Sequence, residues 1–126
     1  MESQSSQTNL TSHILQKMIE ACEMLMTWNE NVSSTDFYTT SPTGIEKMAA
    51  SCMLIESIGE GVKKIDKLMP GLLSTISPEI RWKQVMGLRD HIAHGYFNLD
   101  ADIIYNVVKN EIPALKASLI RIIRLL

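Results

Sequence analysis

Apolar residues recur at steps of three and four along almost the whole chain, and this spacing constrains the fold more than any other feature of the sequence. Such spacing places the apolar side chains on one face of a helix. The clearest series lies near the start of the chain and consists of Leu10, Ile14, Leu15, Met18, Ile19, Cys22, Leu25 and Met26. No stretch shows the alternation of a half-buried strand. The sequence therefore predicts an all-α protein.

Capping residues and helix breakers set the expected helix boundaries. Residues 31–44, rich in Ser and Thr, are predicted to form a loop, and Ser41–Pro42 to start a second helix with Ser as its cap. Pro70–Gly71 ends that helix. Ser77–Pro78–Glu79 repeats the cap-and-proline pattern and predicts the start of a third helix, which ends at Gly95.

The remaining part of the chain completes a single bundle. Asp100 is the expected cap of a fourth helix, and Pro113 is expected to kink or split it because proline lacks a backbone N–H. Residues 1–126 suit one domain with one core, with residues 1–8 expected to be flexible. The fold prediction is an antiparallel up-and-down bundle of four to five helices. Gly59 and Gly61 inside the second helix suggest the close approach of a neighbouring backbone.

Charge and cysteine content narrow the functional classes. The chain has 12 Lys and Arg against 14 Asp and Glu, so it lacks the basic surface of a general nucleic-acid binder, and any contact with RNA must be local. No signal peptide or transmembrane run is visible, which predicts a cytoplasmic protein that does not bind membranes. Cys22 and Cys52 fit reduced, buried thiols, with a redox pair or disulfide as the alternative.

The segment with the most chemistry is RDHIAHGY, residues 89–96. Arg89 falls on the apolar stripe of the third helix, where a charge is costly unless it is paired or lies at an interface. It is either a semi-buried arginine paired with Glu56 or Glu60, or a phosphate-binding group in a dry cleft. His94 lies about 140° from Arg89 around the helix, so the two side chains diverge on a regular helix.

Two arrangements would bring the arginine and the histidine together. The helix can end at Gly95 and let His94 swing round, or two copies of the helix can pair across a twofold axis; we favour the pair. His94 alone also fits a surface residue at a helix C-terminus, and with Asp90 and His91 it suggests a metal site. Tyr96 and Phe97 fit aromatic residues that close the core; the phenol of Tyr96 could instead hydrogen-bond a phosphate, stack on a base or receive a modification. His13 is expected to face solvent. Lys63, Lys64 and Lys67 are expected to form a solvated face, with a track that binds RNA as the second interpretation.

The chain resembles the HepT-like ribonuclease toxins of the HEPN group. The resemblance rests on WKQVMGLRDHIAHGYFNLD, residues 82–100, and on Ile58–Gly59–Glu60. It implies a HEPN-like homodimer with the active cleft between subunits, Arg89 and His94 as nuclease residues, and no cofactor. It also implies that a minimal nucleotidyltransferase antitoxin adds AMP to Tyr96. Asp90 stands where the family commonly has Asn, which gives this residue a modulating role.

Two functions follow from these patterns. The first is a metal-independent endoribonuclease toxin of a bacterial type VII toxin–antitoxin system, which cleaves RNA through the 2′-OH and leaves DNA intact. In this reaction His94 moves a proton and Arg89 stabilises the charge that develops on phosphorus. The second is a catalytically silent helical module that partners a nucleotidyltransferase, suggested by Asp90 and the acidic balance. His91 lies outside the family pattern and receives no role.

Overall fold

The computed structural model describes residues 4–126, and its first helix confirms the first predicted one. Helix α1 spans Gln4–Trp28 and buries most of the predicted apolar face, although Leu10 at its start is exposed. It begins earlier than expected, because residues 4–8, predicted to be flexible, already belong to the helix. Residues 1–3 of that predicted flexible segment lie outside the described residues. His13 is exposed, as predicted.

The predicted loop 31–44 contains a short helix that the sequence did not indicate. Helix α2 spans Phe37–Thr40 and buries Tyr38 completely. The Tyr38 hydroxyl donates to Oδ1 of Asn29 at 2.6 Å, and the Asn29 amide donates to Oγ of Ser51 at 2.9 Å. These buried bonds hold the loop against the bundle, since the polar groups would otherwise lack partners.

One helix start is confirmed and one is wrong. Helix α3 spans Pro42–Leu68, and Oγ of Ser41 accepts from the Gly44 amide at 2.9 Å, as an N-cap does. A short helix α4, Leu72–Ile76, follows. Ser77 does not cap a helix, because helix α5 begins only at Trp82. Its hydroxyl accepts instead from Arg121, which fixes the α4–α5 connection to the last helix.

The C-terminal third confirms the predicted cap and the predicted break. Helix α5 spans Trp82–Gly95, ends at the predicted glycine and is followed by a 3₁₀ turn, Tyr96–Asn98. Helix α6 spans Ala101–Asn106, with Oδ1 of Asp100 accepting from the Asp102 amide. A π-helical turn, Val107–Glu111, then leads into helix α7, Ile112–Arg124. The helix widens into this π turn because Pro113 has no backbone N–H to donate to the carbonyl four residues earlier.

The helices form an all-α bundle, as predicted, and residues 4–126 contain no strand. Helix α1 packs on α3 and α7, and α5 packs on α3. Helix α5 is therefore held in the bundle mainly by α3. A cavity of about 370 Å³ separates it from α6 and α7, lined largely by apolar side chains that include Ile58, Ile80, Val85, Leu88, Ile103 and Val107. None of the helices in this described part is long and apolar enough to span a bilayer.

Candidate active site

The candidate site lies on the C-terminal half of α5, where a glycine of α3 allows close packing. A Cβ added at Gly59 would lie 2.3 Å from the Cβ of Arg89, so only glycine fits at this position. The predicted close approach is thus confirmed, although the main neighbour is a side chain. Gly61 is packed in the same way against Met18 of α1. The contact with Gly59 therefore fixes the distance between Arg89 and the backbone of α3.

Arg89 is held between two carboxylates. Its Nε lies 3.1 Å from Oε2 of Glu60, so of the two alternatives for Arg89 the structure shows the carboxylate pairing, with Glu60 and not Glu56 as the partner. Nε is buried and its N–H is not directed along a hydrogen bond, so this contact is an ion pair only. Nη1 donates to Oδ1 of Asp90 at 3.1 Å. The side chain is 26% exposed, and Nη2 has no hydrogen-bond partner within residues 4–126.

Asp90 has a second cationic partner that sequence reasoning missed. Lys63 of α3 donates from Nζ to the same Oδ1 at 2.8 Å. This hydrogen bond is the main reason that the pKa of Asp90 lies below its ordinary value; the Arg89 guanidinium lowers it further, against partial desolvation. Lys64 and Lys67 are exposed, as the prediction of a solvated face requires, but Lys63 is not part of that face. No local pattern signals a pair 27 residues apart.

His94 is exposed, and its ring is oriented by its own helix. Nδ1 lies 2.7 Å from the carbonyl oxygen of Asp90. Because a carbonyl oxygen only accepts hydrogen bonds, Nδ1 must carry the proton in this contact. In the neutral ring the lone pair of this exposed residue then resides on Nε2. A lone pair in this position is what a general base requires.

The structure does not bring Arg89 and His94 together within one protomer. Helix α5 does end at Gly95, but His94 still lies within the helix and its ring contacts the carbonyl of Asp90 one turn earlier, so it does not swing round towards Arg89. Five residues of regular helix separate the two side chains by about 140°. No hydrogen bond joins them in the described part of the chain. Arg89 faces α3, whereas His94 faces solvent.

Tyr96 and Phe97 differ in their surroundings. Tyr96 is half-buried and borders a small cavity beside Cys52, Met53 and Ile92, and burial raises the pKa of its phenol. Phe97 packs edge-to-face on Tyr96, with ring centroids 5.6 Å apart, yet it is 97% exposed. It therefore does not close the core. Met53, across the same small cavity, is 62% exposed.

The structure also shows the state of the two cysteines and of the suggested metal site. Cys22 and Cys52 are free and buried, as predicted, and burial raises their thiol pKa to about 12 and about 11. Asp90, His91 and His94 do not form a metal-ligand cluster, and no group of three or more His, Cys, Asp or Glu suited to a metal occurs among residues 4–126. His91 is exposed.

The chain is thus an all-α bundle that carries an arginine and a histidine in the C-terminal half of helix α5. Sequence comparison gives the particular family: the chain belongs to the HepT-like ribonucleases, whose family model matches residues 18–122. This confirms the resemblance noted from the sequence.

Two relatives illustrate the similarity. "Probable ribonuclease HepT" of Thermococcus cleftensis is 30% identical over 102 residues, which are 81% of this chain and 86% of the relative. A protein of Caldanaerobacter subterraneus subsp. tengcongensis, named as a candidate RNase, is also 30% identical over 102 residues, 81% of this chain and 84% of the relative. No solved structure matches the chain significantly.

Proposed function

We propose that the chain is a metal-independent endoribonuclease, the toxin of a bacterial type VII toxin–antitoxin system. The observation that carries the proposal is the ring orientation of His94, whose Nδ1 contact with the Asp90 carbonyl leaves Nε2 free to accept a proton. Family membership supports RNA as the substrate. The relatives named above are ribonucleases by name.

The chemistry follows from the two side chains. Nε2 of His94 takes the proton of a ribose 2′-OH, whose oxygen attacks the adjacent phosphorus. The P–O5′ bond breaks, the leaving 5′ oxygen receives a proton from an imidazolium or from water, and a 2′,3′-cyclic phosphate remains. The guanidinium of Arg89 stabilises the extra negative charge on the phosphorane oxygens. DNA lacks the nucleophile and stays intact.

The test of this chemistry is cleavage of RNA by the purified protein in the presence of a chelator. We expect cleavage with a 2′,3′-cyclic phosphate end, no cleavage of DNA or 2′-O-methyl RNA, and loss of activity in His94→Ala. His91→Ala is the matched control, because His91 is exposed on the same helix and has no part in the chemistry. Cleavage that survives His94→Ala, or that requires a divalent ion, refutes the proposal.

We also propose that the active form is a homodimer in which Arg89 of one subunit meets His94 of the other. The divergence of the two side chains around α5 supports this arrangement, and a twofold axis would place them in one cleft. The exposed apolar side chains at this end of the bundle, Phe97 and Met53, suit a surface that a second copy covers.

Mixing two inactive variants tests the shared site. Random exchange of Arg89→Ala and His94→Ala subunits makes half of the dimers mixed, and each mixed dimer has one intact pair. Activity should therefore return to about a quarter of the wild-type level. If both groups act from the same subunit, every site lacks one of them and no activity returns.

Tyr96 is proposed as the residue to which a nucleotidyltransferase antitoxin adds AMP, which silences the toxin. Support comes from its position two residues after His94 and from its partial exposure. Incubation with the antitoxin and ATP should add AMP to Tyr96 and leave Tyr105, which is also partly exposed, unmodified. AMP on Tyr105, or none at all, contradicts this step.

The alternative function, a silent module that partners the nucleotidyltransferase, has one observation in its favour. Asp90 already binds the guanidinium that a phosphate would need. Expression of the chain without an antitoxin separates the two functions. Growth arrest that His94→Ala relieves supports the ribonuclease, and harmless expression supports the silent module.

A further inference from the structure

One carboxylate oxygen lies between two cations of the candidate site. Oδ1 of Asp90 is 2.8 Å from Nζ of Lys63 and 3.1 Å from Nη1 of Arg89. The lysine comes from α3 and the arginine from α5, so the oxygen connects the two helices. Both bonds are charge-assisted, and each weakens when the oxygen is drawn towards the other donor.

The charges around Arg89 oppose the binding of a phosphate. Glu60 and Asp90 contribute two negative charges, and Arg89 and Lys63 contribute two positive charges, so this group of four is neutral. A phosphodiester oxygen can take the place of Asp90 on Nη1 only if the displaced carboxylate keeps a cationic partner. Without one, two anions would compete for a single guanidinium.

Lys63 is the only cation in the described residues that contacts Asp90 besides Arg89. Its side chain is 35% exposed and reaches Asp90 from the side of α3. It can therefore keep its bond to Oδ1 while the guanidinium turns to an incoming anion.

We propose that Lys63 is a positioning residue that retains Asp90 when an RNA phosphate displaces this carboxylate from Arg89. The inference rests on the proposed function in one respect, namely that the anion received by Arg89 belongs to RNA. Lys63 acts through Asp90, and its contribution depends on the negative charge of that residue. A lysine that binds phosphate directly would contribute whether or not Asp90 is charged.

A double-mutant cycle tests this dependence. Lys63→Gln is measured in the natural protein and in an Asp90→Asn background, with Lys64→Gln as the control at an exposed neighbouring position. We expect Lys63→Gln to lower kcat/KM about tenfold when Asp90 is present and to change it less than about twofold in the Asn background. Lys63→Arg should restore most of the activity, and Asp90→Asn alone should raise it.

Two results overturn the proposal. Equal losses in both backgrounds show that Lys63 binds the phosphate itself, and no loss in either shows that it has no part in the site. NMR titration tests the contact on which the proposal rests, whereas the dependence on Asp90 and the rescue by Lys63→Arg test the role itself. Lys63→Gln should raise the pKa of Asp90, since the Lys63 hydrogen bond is the main cause of its lowering, whereas Lys64→Gln should leave it unchanged.

Binding of a 2′-O-methyl RNA decamer separates this inference from the proposed function, because the decamer presents phosphates but cannot be cleaved. If the same coupling appears in decamer binding while the protein cleaves no RNA, the ribonuclease proposal fails and the role of Lys63 stands. If the protein cleaves RNA but neither assay shows coupling, the role of Lys63 fails and the ribonuclease stands.

Discussion

The packing of α5 on α3 predicts opposite effects for the same substitution at two glycines. A Cβ at Gly59 would lie 2.3 Å from the Cβ of Arg89 and 3.2 Å from the carbonyl oxygen of Val85. Both atoms belong to a packed helix and cannot move freely. A Cβ at Gly87, on α5 itself, would meet nothing within 4 Å. Gly87→Ala is therefore the matched control for Gly59→Ala.

The magnitudes follow from two opposing contributions. Replacing glycine with alanine inside a helix stabilises the fold by about 1 kcal/mol at either position. Overpacking at Gly59 costs about 1–3 kcal/mol, because α5 must shift away from α3. Gly87→Ala should thus raise the free energy of unfolding by about 1 kcal/mol, and Gly59→Ala should lower it by roughly 0–2 kcal/mol. The difference between the two variants is the overpacking cost alone.

Urea denaturation at two protein concentrations measures this difference and reveals any contribution from subunit association. For a urea dependence of about 2 kcal/mol per molar, a 2 kcal/mol gap separates the two midpoints by about 1 M. Gly59→Ala should also lower the rate of RNA cleavage by more than its loss of stability explains, because the shift of α5 displaces Arg89. Equal stabilities for the two variants would refute the close α3–α5 contact on which the placement of Arg89 depends.

Three further predictions concern other parts of the bundle. Asn29→Ala should lower the free energy of unfolding by about 1–3 kcal/mol in urea titrations, because it leaves the buried Tyr38 hydroxyl without its acceptor; a loss below 0.5 kcal/mol would contradict the buried network. The pKa of Glu79 lies below its ordinary value, mainly because of the hydrogen bond from Arg121. The Glu79–Arg121 pair therefore stabilises the fold at any pH above the ordinary pKa, and this stabilisation is lost as the pH falls through the lowered pKa of the folded protein. Wild type should therefore have a higher Tm than Glu79→Gln at neutral pH and lose this advantage in acid; a constant difference would exclude the carboxylate as the cause. Phe97→Ala should leave the free energy of unfolding of the isolated subunit within about 0.5 kcal/mol of wild type, because the ring is 97% exposed, and a larger loss at high dilution would contradict that exposure.

Local chemistry made the long helices predictable. The apolar spacing indicates α1 and α3, Ser41 and Asp100 act as the caps that their positions suggest, and Gly95 ends α5. In each case the decisive contacts lie within a few residues of sequence. The same local rules failed at Ser77, because α5 begins only at Trp82 and the Ser77 hydroxyl contacts Arg121 of α7 instead.

For the candidate site, too, the local features were predictable and the contacts between distant residues were not. The cost of a charge on an apolar stripe left two alternatives for Arg89, a carboxylate partner or a bound phosphate, and the structure shows the carboxylate contact. Helical geometry correctly indicated that His94 points elsewhere. Lys63 and the helix that buries Tyr38 were missed, because each depends on a partner distant in sequence or on burial that no local pattern shows. The dimer and the modification of Tyr96 remain predictions.

The arrangement of α1 has a consequence for how the protein is made. One of its faces is covered by α7, and the carbonyl of Asn29 just beyond it accepts from Lys109, 80 residues later. A ribosome-bound chain therefore cannot bury this face of α1 until the segment that forms α7 has been made. Until that segment emerges, the apolar side of α1 stays available to chaperones.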